Sequence, residues 1–227
     1  MTTSQDFGTL GRLDAAFAAE ERRGLMVASA ARTAAVVVLL TWLALANPAR
    51  GLAYAWVLGT GAVFLVTGLA QYWLFARGNA PALTPYVFAL VDSLVLAAVL
   101  LAPNPFETTP VPPAMPLRFA SFLYFFVLLM QMAFSFRPRL LLWTTACGIG
   151  AWTLGYLMIV NQSGVVTDPP GADMRMRLVT YFTPNYVSRA KFGTEIVVFF
   201  VVGAGLALLV RRSRSLVTER AEAERAR

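Results

Sequence analysis

Apolar residues in this chain fall into six long blocks separated by short polar segments. The blocks cover residues 25–46, 52–75, 84–102, 119–136, 140–160 and 195–210. Each is near the length that an α-helix needs to cross ~30 Å of hydrocarbon at 1.5 Å per residue. The pattern therefore predicts six transmembrane helices.

The same pattern divides the chain into three regions. Residues 1–24 form an N-terminal segment, residues 25–210 the six-helix membrane domain, and residues 211–227 a helical stalk. Within the first region, residues 12–23 are predicted to form a short amphipathic helix. Apolar periodicity at 3.6 residues with few helix breakers favours helix throughout. We predict an all-α polytopic membrane protein.

The stalk begins abruptly at Arg211, where the last apolar block ends. In its second half, glutamates are interleaved with arginines. Apolar residues recur every seven positions, at Leu209, Leu216 and Ala223. A basic stretch that binds anionic lipid would account for the first arginines but not for the glutamates. A short heptad stripe accounts for both, so these three residues are expected to contact the stalk of a second copy in a homodimer.

Composition agrees with a membrane protein, since 58% of residues are hydrophobic and 14% are charged. A soluble domain has about a quarter of its residues charged. The net charge of +7 is spread over many loops. We therefore interpret it through membrane topology and expect no nucleic-acid partner.

The distribution of Lys and Arg predicts the orientation of the helices. With both termini on one side, that side collects twelve arginines and the other side collects six basic residues, namely Arg50, Arg118, Arg175, Arg177, Arg189 and Lys191. Both termini are thus expected in the cytoplasm. The ratio of 18 Arg to 1 Lys is typical of a GC-rich bacterial genome, so we expect the bacterial inner membrane.

Several chemistries are excluded by what the chain lacks. It has no histidine, one cysteine and one lysine, Lys191, which lies in a polar segment. This excludes histidine-ligated haem, histidine-based catalysis and a disulfide within the chain. We assign no catalytic residue, no metal and no cofactor to these residues.

Four polar side chains are predicted to form one buried layer nearer the cytoplasmic end of the helices, namely Arg32, Gln71, Asp92 and Gln131. An isolated charge at such depth is costly, so Arg32 and Asp92 are expected to pair. The pair is interpreted as a clamp between the first and third helices, as part of an ion relay, or as a state-dependent lock in a receptor. On the opposite side, Asp168 and Asp173 flank a turn and form a candidate cation site, with a solvated loop as the alternative.

The segments "FSFRPRLLLWTTACGIGAWTLGYLMIVNQ" and "KFGTEIVVFFVVGAGLALLVRRSRSLVTERAEAERAR" resemble the membrane domain and stalk of bacterial class III adenylate/guanylate cyclases with six transmembrane helices. The resemblance implies a homodimeric sensor and anchor, followed by a catalytic domain. That domain would bind ATP with Mg²⁺ or Mn²⁺ and form cyclic AMP; its residues are not among these 227. The bilayer itself, a lipid or a small hydrophobic ligand is the expected partner.

Two other functions fit the same pattern. One is the same kind of membrane sensor domain attached to a histidine kinase or a diguanylate cyclase. A small transporter is the remaining alternative, although no internal repeat supports it.

Overall fold

A computed structural model describes residues 3–46, 51–78, 80–108, 111–168 and 173–225. About 80% of the chain is helical. The helices are α1 Thr3–Ala46, α2 Leu52–Arg77, α3 Thr84–Leu101, α4 Met115–Arg118, α5 Leu123–Ala133, α6 Pro138–Val160, α7 Met174–Tyr181 and α8 Arg189–Arg225. Two strands, β1 Val166–Thr167 and β2 Tyr186–Val187, pair in parallel and join the two ends of a loop.

Five helical segments are long and apolar enough to cross a membrane. They are Ala18–Ala46 of α1, the whole of α2, α3 and α6, and Arg189–Leu216 of α8. Their outward faces are apolar, as Trp42 and Leu45 illustrate with 70% and 79% of their surface exposed. Such faces are compatible with hydrocarbon and not with water, so the chain is a multi-pass membrane protein.

The long helices form a bundle with two distinct ends. The most extensive contacts join α1 to α2, α3 to α6, and α6 to α8. We call one end the arginine-rich end, defined by Arg22, Arg77, Arg137 and Arg214. The opposite end, where residues 103–118 and 161–188 connect the helices, is called the loop end.

An aromatic cluster forms the centre of the core between α5, α6 and α8. Phe122, Phe125, Trp152 and Phe199 are each at most 3% exposed. The ring centroid of Phe122 lies 5.2 Å from that of Trp152 and 5.3 Å from that of Phe199. Gly148 makes this contact possible, because a Cβ atom there would lie 2.8 Å from the Phe199 ring.

The fourth predicted membrane helix is shorter than expected. The apolar block 119–136 contains a 3₁₀ turn at 120–122 and only the eleven residues of α5 as α-helix. Eleven residues cover about 16 Å, roughly half of the hydrocarbon layer. The helix ends early because Pro138 opens α6, Arg137 before it is extended, and Phe136 turns the chain with φ of 53°.

Two boundaries also differ from the prediction. The N-terminal amphipathic segment is not a separate helix, since α1 passes through residue 24 without a break. Gly24 serves close packing there, because a Cβ atom would lie 2.0 Å from the carbonyl oxygen of Phe134. The last helix begins at Arg189, six residues before the predicted start, and continues through the stalk to Arg225.

Candidate functional site

A buried ionic cluster lies between the first three helices. Arg32 of α1 forms a salt bridge through Nη1 with Oδ2 of Asp92 in α3, so the pair that the sequence predicts is present. Arg32 is 3% exposed and Asp92 is fully buried. In a membrane span each charge needs the other, since either one alone would face hydrocarbon.

Polar side chains of α1 and α2 complete this ionic cluster. The Gln71 amide donates to Asp92 Oδ2 at 3.1 Å, and its oxygen accepts from Arg32 Nη1 and from the Ser29 hydroxyl, each at 3.4 Å. Arg32 Nη2 donates to Thr67 Oγ1 at 2.7 Å. Ser29 and Thr67 were not predicted from the sequence, although each lies about one helical turn before a predicted member, on the same helix face.

The ionic cluster is not fully satisfied. Arg32 Nε and Asp92 Oδ1 are buried, and neither has a hydrogen-bond partner among the residues that the structure describes. The Arg32 guanidinium lies 5.2 Å from the ring centroid of Phe64, which offsets part of its desolvation. Unpartnered buried polar atoms are rare in native proteins and call for an explanation in function or hydration.

Gln131, the fourth member of the predicted layer, does not join the ionic cluster. Its side chain forms no hydrogen bond to a described residue, and it lines a cavity together with Arg32. Gln131 nevertheless lies next to the ionic cluster, because it lines a small cavity together with Ser29, Arg32 and Gln71. The four predicted side chains therefore lie in one region, and three of them, Arg32, Gln71 and Asp92, are joined by hydrogen bonds.

The cavity lies between α1, α2, α3 and α5 and has a volume of about 260 Å³. On α1 its wall is one helix face, formed by Arg32, Ala35, Val36, Leu39, Leu40 and Leu43. Nearly all of its lining is hydrocarbon; its polar side chains are those of Arg32, Gln131 and Tyr124. It is thus an apolar cavity whose end nearest Arg32 and Gln131 is polar.

At the loop end, both carboxylates of the candidate cation site have hydrogen-bond partners within the protein. Asp168 accepts hydrogen bonds from the Tyr186 hydroxyl and, at 2.9 Å, from the Arg189 backbone N–H. The pKa of the Tyr186 hydroxyl is raised, mainly by burial and in addition by its hydrogen bond to Asp168. Asp173 caps α7 through the Met176 N–H at 2.7 Å. The described residues contain no group of three or more His, Cys, Asp or Glu side chains placed to hold a metal ion.

Helix α8 is anchored at the loop end by its first turns. The Lys191 ammonium donates to the carbonyl oxygens of Leu117, Arg118 and Phe119 at 2.7, 3.0 and 3.0 Å. Glu195 lies 3.6 Å from Lys191 and accepts from the Trp152 indole at 3.1 Å. These contacts tie α8 to the end of α4 and to α6.

A second anchor holds α8 at the arginine-rich end. Glu21 of α1 accepts from Arg137 at 2.7 Å and from Arg214 of α8 at 3.0 Å. On either side of Arg214 along α8, Leu209 and Leu216 are 64% and 47% exposed. Ala223 lies within α8, but its side chain is outside the described part of the structure.

The arrangement offers an ionic cluster, a cavity beside it and a long helix held at both ends. Comparison with protein-family models, curated proteins and solved structures finds no match to this chain. Its function is therefore argued from the chemistry and geometry of these three features.

Proposed function

We propose that this chain is the membrane sensor and dimerisation domain of a class III adenylate cyclase, the enzyme that converts ATP to cyclic AMP and diphosphate. It would relay a signal from the membrane or from the loop end through α8 to a catalytic domain. The observation that carries the proposal is the continuity of α8, which runs from Arg189 through its membrane span to Arg225.

Continuity supports a relay because a helix transmits displacement along its axis. Lys191 and Glu195 couple α8 to neighbouring elements at the loop end, and Arg214 couples it to α1 at the other end. No Gly or Pro lies between Gly205 and Arg227, so the helix has no intrinsic kink site in the stalk. A shift at the loop end is thus carried as a movement of the stalk.

Dimerisation is supported by exposed apolar side chains at the end of the membrane span of α8 and in the stalk. Leu209 and Leu216 are seven residues apart and remain largely exposed in one copy. The same stripe of a second chain would cover them in a parallel coiled coil. By resemblance, the catalytic centre of such cyclases forms between two chains, which gives a dimeric anchor a mechanical purpose.

The proposed topology has six crossings and both termini in the cytoplasm of a bacterial cell. The block 119–136 connects the two ends of the bundle, since Lys191 binds the Phe119 carbonyl at the loop end and Gly24 contacts Phe134 at the other. This path supports a sixth crossing despite the short α5. The excess of arginine then places the stalk on the cytoplasmic side.

Transport is less well supported than signalling. Among the described residues, the buried charged and amide side chains lie in one layer, formed by Arg32, Gln71 and Asp92. A transport path needs polar groups from one end to the other. A histidine kinase or diguanylate cyclase would use the same relay, and the resemblance of the last helix favours the cyclase.

The test is a fusion of this chain to a class III catalytic domain, with cyclic AMP formation as the readout. One residue inserted after Leu216 rotates everything beyond it by ~100° about the helix axis. We expect a sharp change in cyclase output with normal membrane insertion. The matched control inserts seven residues, which restores the phase to within ~20° and should restore output. Wild-type activity and regulation after the single insertion would show that the stalk is only a tether.

A further inference from the structure

We propose that the cavity between α1, α2, α3 and α5 binds a neutral single-chain lipid. Its head group would be an uncharged carbonyl that accepts hydrogen bonds beside Gln131 and Arg32, and its hydrocarbon chain would follow α1 toward the loop end. The inference deepens the sensor role and rests on the proposed function for its meaning, whereas binding itself is a property of this chain.

The shape of the cavity fits one extended chain. Along α1 it reaches from Arg32 to Leu43, which corresponds to about 16 Å of helix. Val36, Leu39 and Leu40 continue the same face between these two residues. A cavity with so little polar surface offers water few partners, so its natural occupant is hydrocarbon.

At the end of the cavity formed by Gln131 and Arg32, the bound molecule needs a polar atom. Gln131 has no hydrogen-bond partner among the described residues, and Arg32 Nε has none either. The methyl end of an ordinary acyl chain would leave the Gln131 amide without a partner in an apolar environment. A carbonyl oxygen at this place gives the amide N–H an acceptor.

The head group must carry no charge. Asp92 already balances the positive charge of Arg32, so an anionic head would add an unpaired charge within the membrane. Arg32 lies seven residues beyond Leu25, about 10 Å into the first apolar block. A phospholipid keeps its phosphate at the interface and cannot place a head group at this depth. A free single-chain molecule can.

The experiment uses the full chain in lipid nanodiscs and three probes of equal chain length, namely a methyl ketone, an alkyl sulfonate and an alkane. Affinity is obtained from the shift of the thermal unfolding midpoint with probe concentration. We expect the ketone to bind most tightly. Gln131→Leu should weaken ketone binding about tenfold, the equivalent of one lost hydrogen bond, and leave alkane binding unchanged.

A matched pair of variants on α1 tests the location. Ala35→Phe projects into the cavity and should abolish the ketone-induced shift. Ala34→Phe is the control, because Ala34 is exposed on the same helix and does not line the cavity. Should either variant fold poorly, a photoreactive ketone bound to the unmodified chain reports the location instead. Attachment is expected in the cavity walls, within 32–43, 57–64, 96–100 or 124–131.

Equal affinity for ketone and alkane, or ketone binding that Gln131→Leu leaves intact, would reduce the cavity to a place for membrane acyl chains and overturn the proposal. Photoattachment outside the cavity walls would overturn it too. None of these readouts involves cyclic AMP. A negative binding result therefore leaves the insertion test of α8 standing, and failure of the insertion test leaves the binding result standing.

Discussion

Two ionic sites join distant parts of the chain, and they differ in their surroundings. Arg32 and Asp92 pair inside the membrane span with 3% and 0% of their surfaces exposed. Glu21 bridges Arg137 and Arg214 at the arginine-rich end, where the three side chains are 14%, 28% and 35% exposed. Both sites contain a carboxylate and guanidinium groups, so the chemistry is the same and the environment is not.

The environment decides what each site can do. The buried pair cannot separate without leaving a charge in hydrocarbon, so it fixes α1, α2 and α3 as one unit. The Glu21 bridge has water within reach, and its partners are solvated when it opens, so its net free energy is small. Helix α8 is thus held at its stalk by a contact that can open while the helices behind it stay together.

The largest expected effect comes from breaking the buried pair on one side only. Arg32→Met or Asp92→Asn alone should lower the free energy of unfolding by about 3–5 kcal/mol, because the remaining group stays buried without its partner. The loss of unfolding free energy in the double variant should be smaller than the sum of the two single losses by ~1–3 kcal/mol. Unfolding in mixed micelles with increasing SDS measures all three.

The double-mutant cycle is decisive because it separates pairing from packing. Asn at position 92 keeps the hydrogen bond from Gln71, so the double variant retains a satisfied contact between α2 and α3. Simple additivity of the two single changes would mean that the salt bridge does not stabilise the bundle.

An intermediate effect is expected at the loop end, where Lys191 donates to three backbone carbonyl oxygens and is 38% exposed. Lys191→Met should lower the free energy of unfolding by about 1–2 kcal/mol, since carbonyls that lose a charged donor are partly hydrated instead. Arg175→Met, at an exposed position of α7, serves as the control and should change it by less than ~0.5 kcal/mol. A similar loss in both variants would contradict a specific anchor at Lys191.

The elements were predictable where apolar periodicity was long. The spans of α2, α3 and α6 follow the blocks closely, because ~20 apolar residues suffice to identify a membrane helix. The span of α1 ends where its block ends but begins at Ala18, seven residues earlier than predicted. The break in 119–136 was not predictable from hydropathy. It arises from backbone geometry, namely the extended residue before Pro138 and the left-handed Phe136.

The candidate site, like the fold, was predictable from the sequence only in part. Arg32 and Asp92 could be paired from the sequence because two opposite charges at similar depth have few alternatives. Whether Gln131 forms a hydrogen bond with this pair depends on the rotation and position of α5, which helical spacing does not encode. The Glu21 bridge joins residues 193 positions apart, and no local pattern signals such a contact.

The smallest expected effect is at Glu21, and its salt dependence is the sharpest way to separate the two sites. Glu21→Gln keeps the size of the side chain and removes its charge, so the cost should stay below ~1 kcal/mol. Glu20→Gln, on the exposed neighbouring position, is the control for net charge. At 1 M salt the Debye length is ~3 Å, so the difference between the two variants should vanish. The cost of Asp92→Asn should persist there, because bulk ions do not reach a buried pair. If salt erased both costs equally, the two ionic sites would not differ in their exposure to bulk ions. If it erased neither, the Glu21 bridge would be more deeply protected than its exposed partners imply.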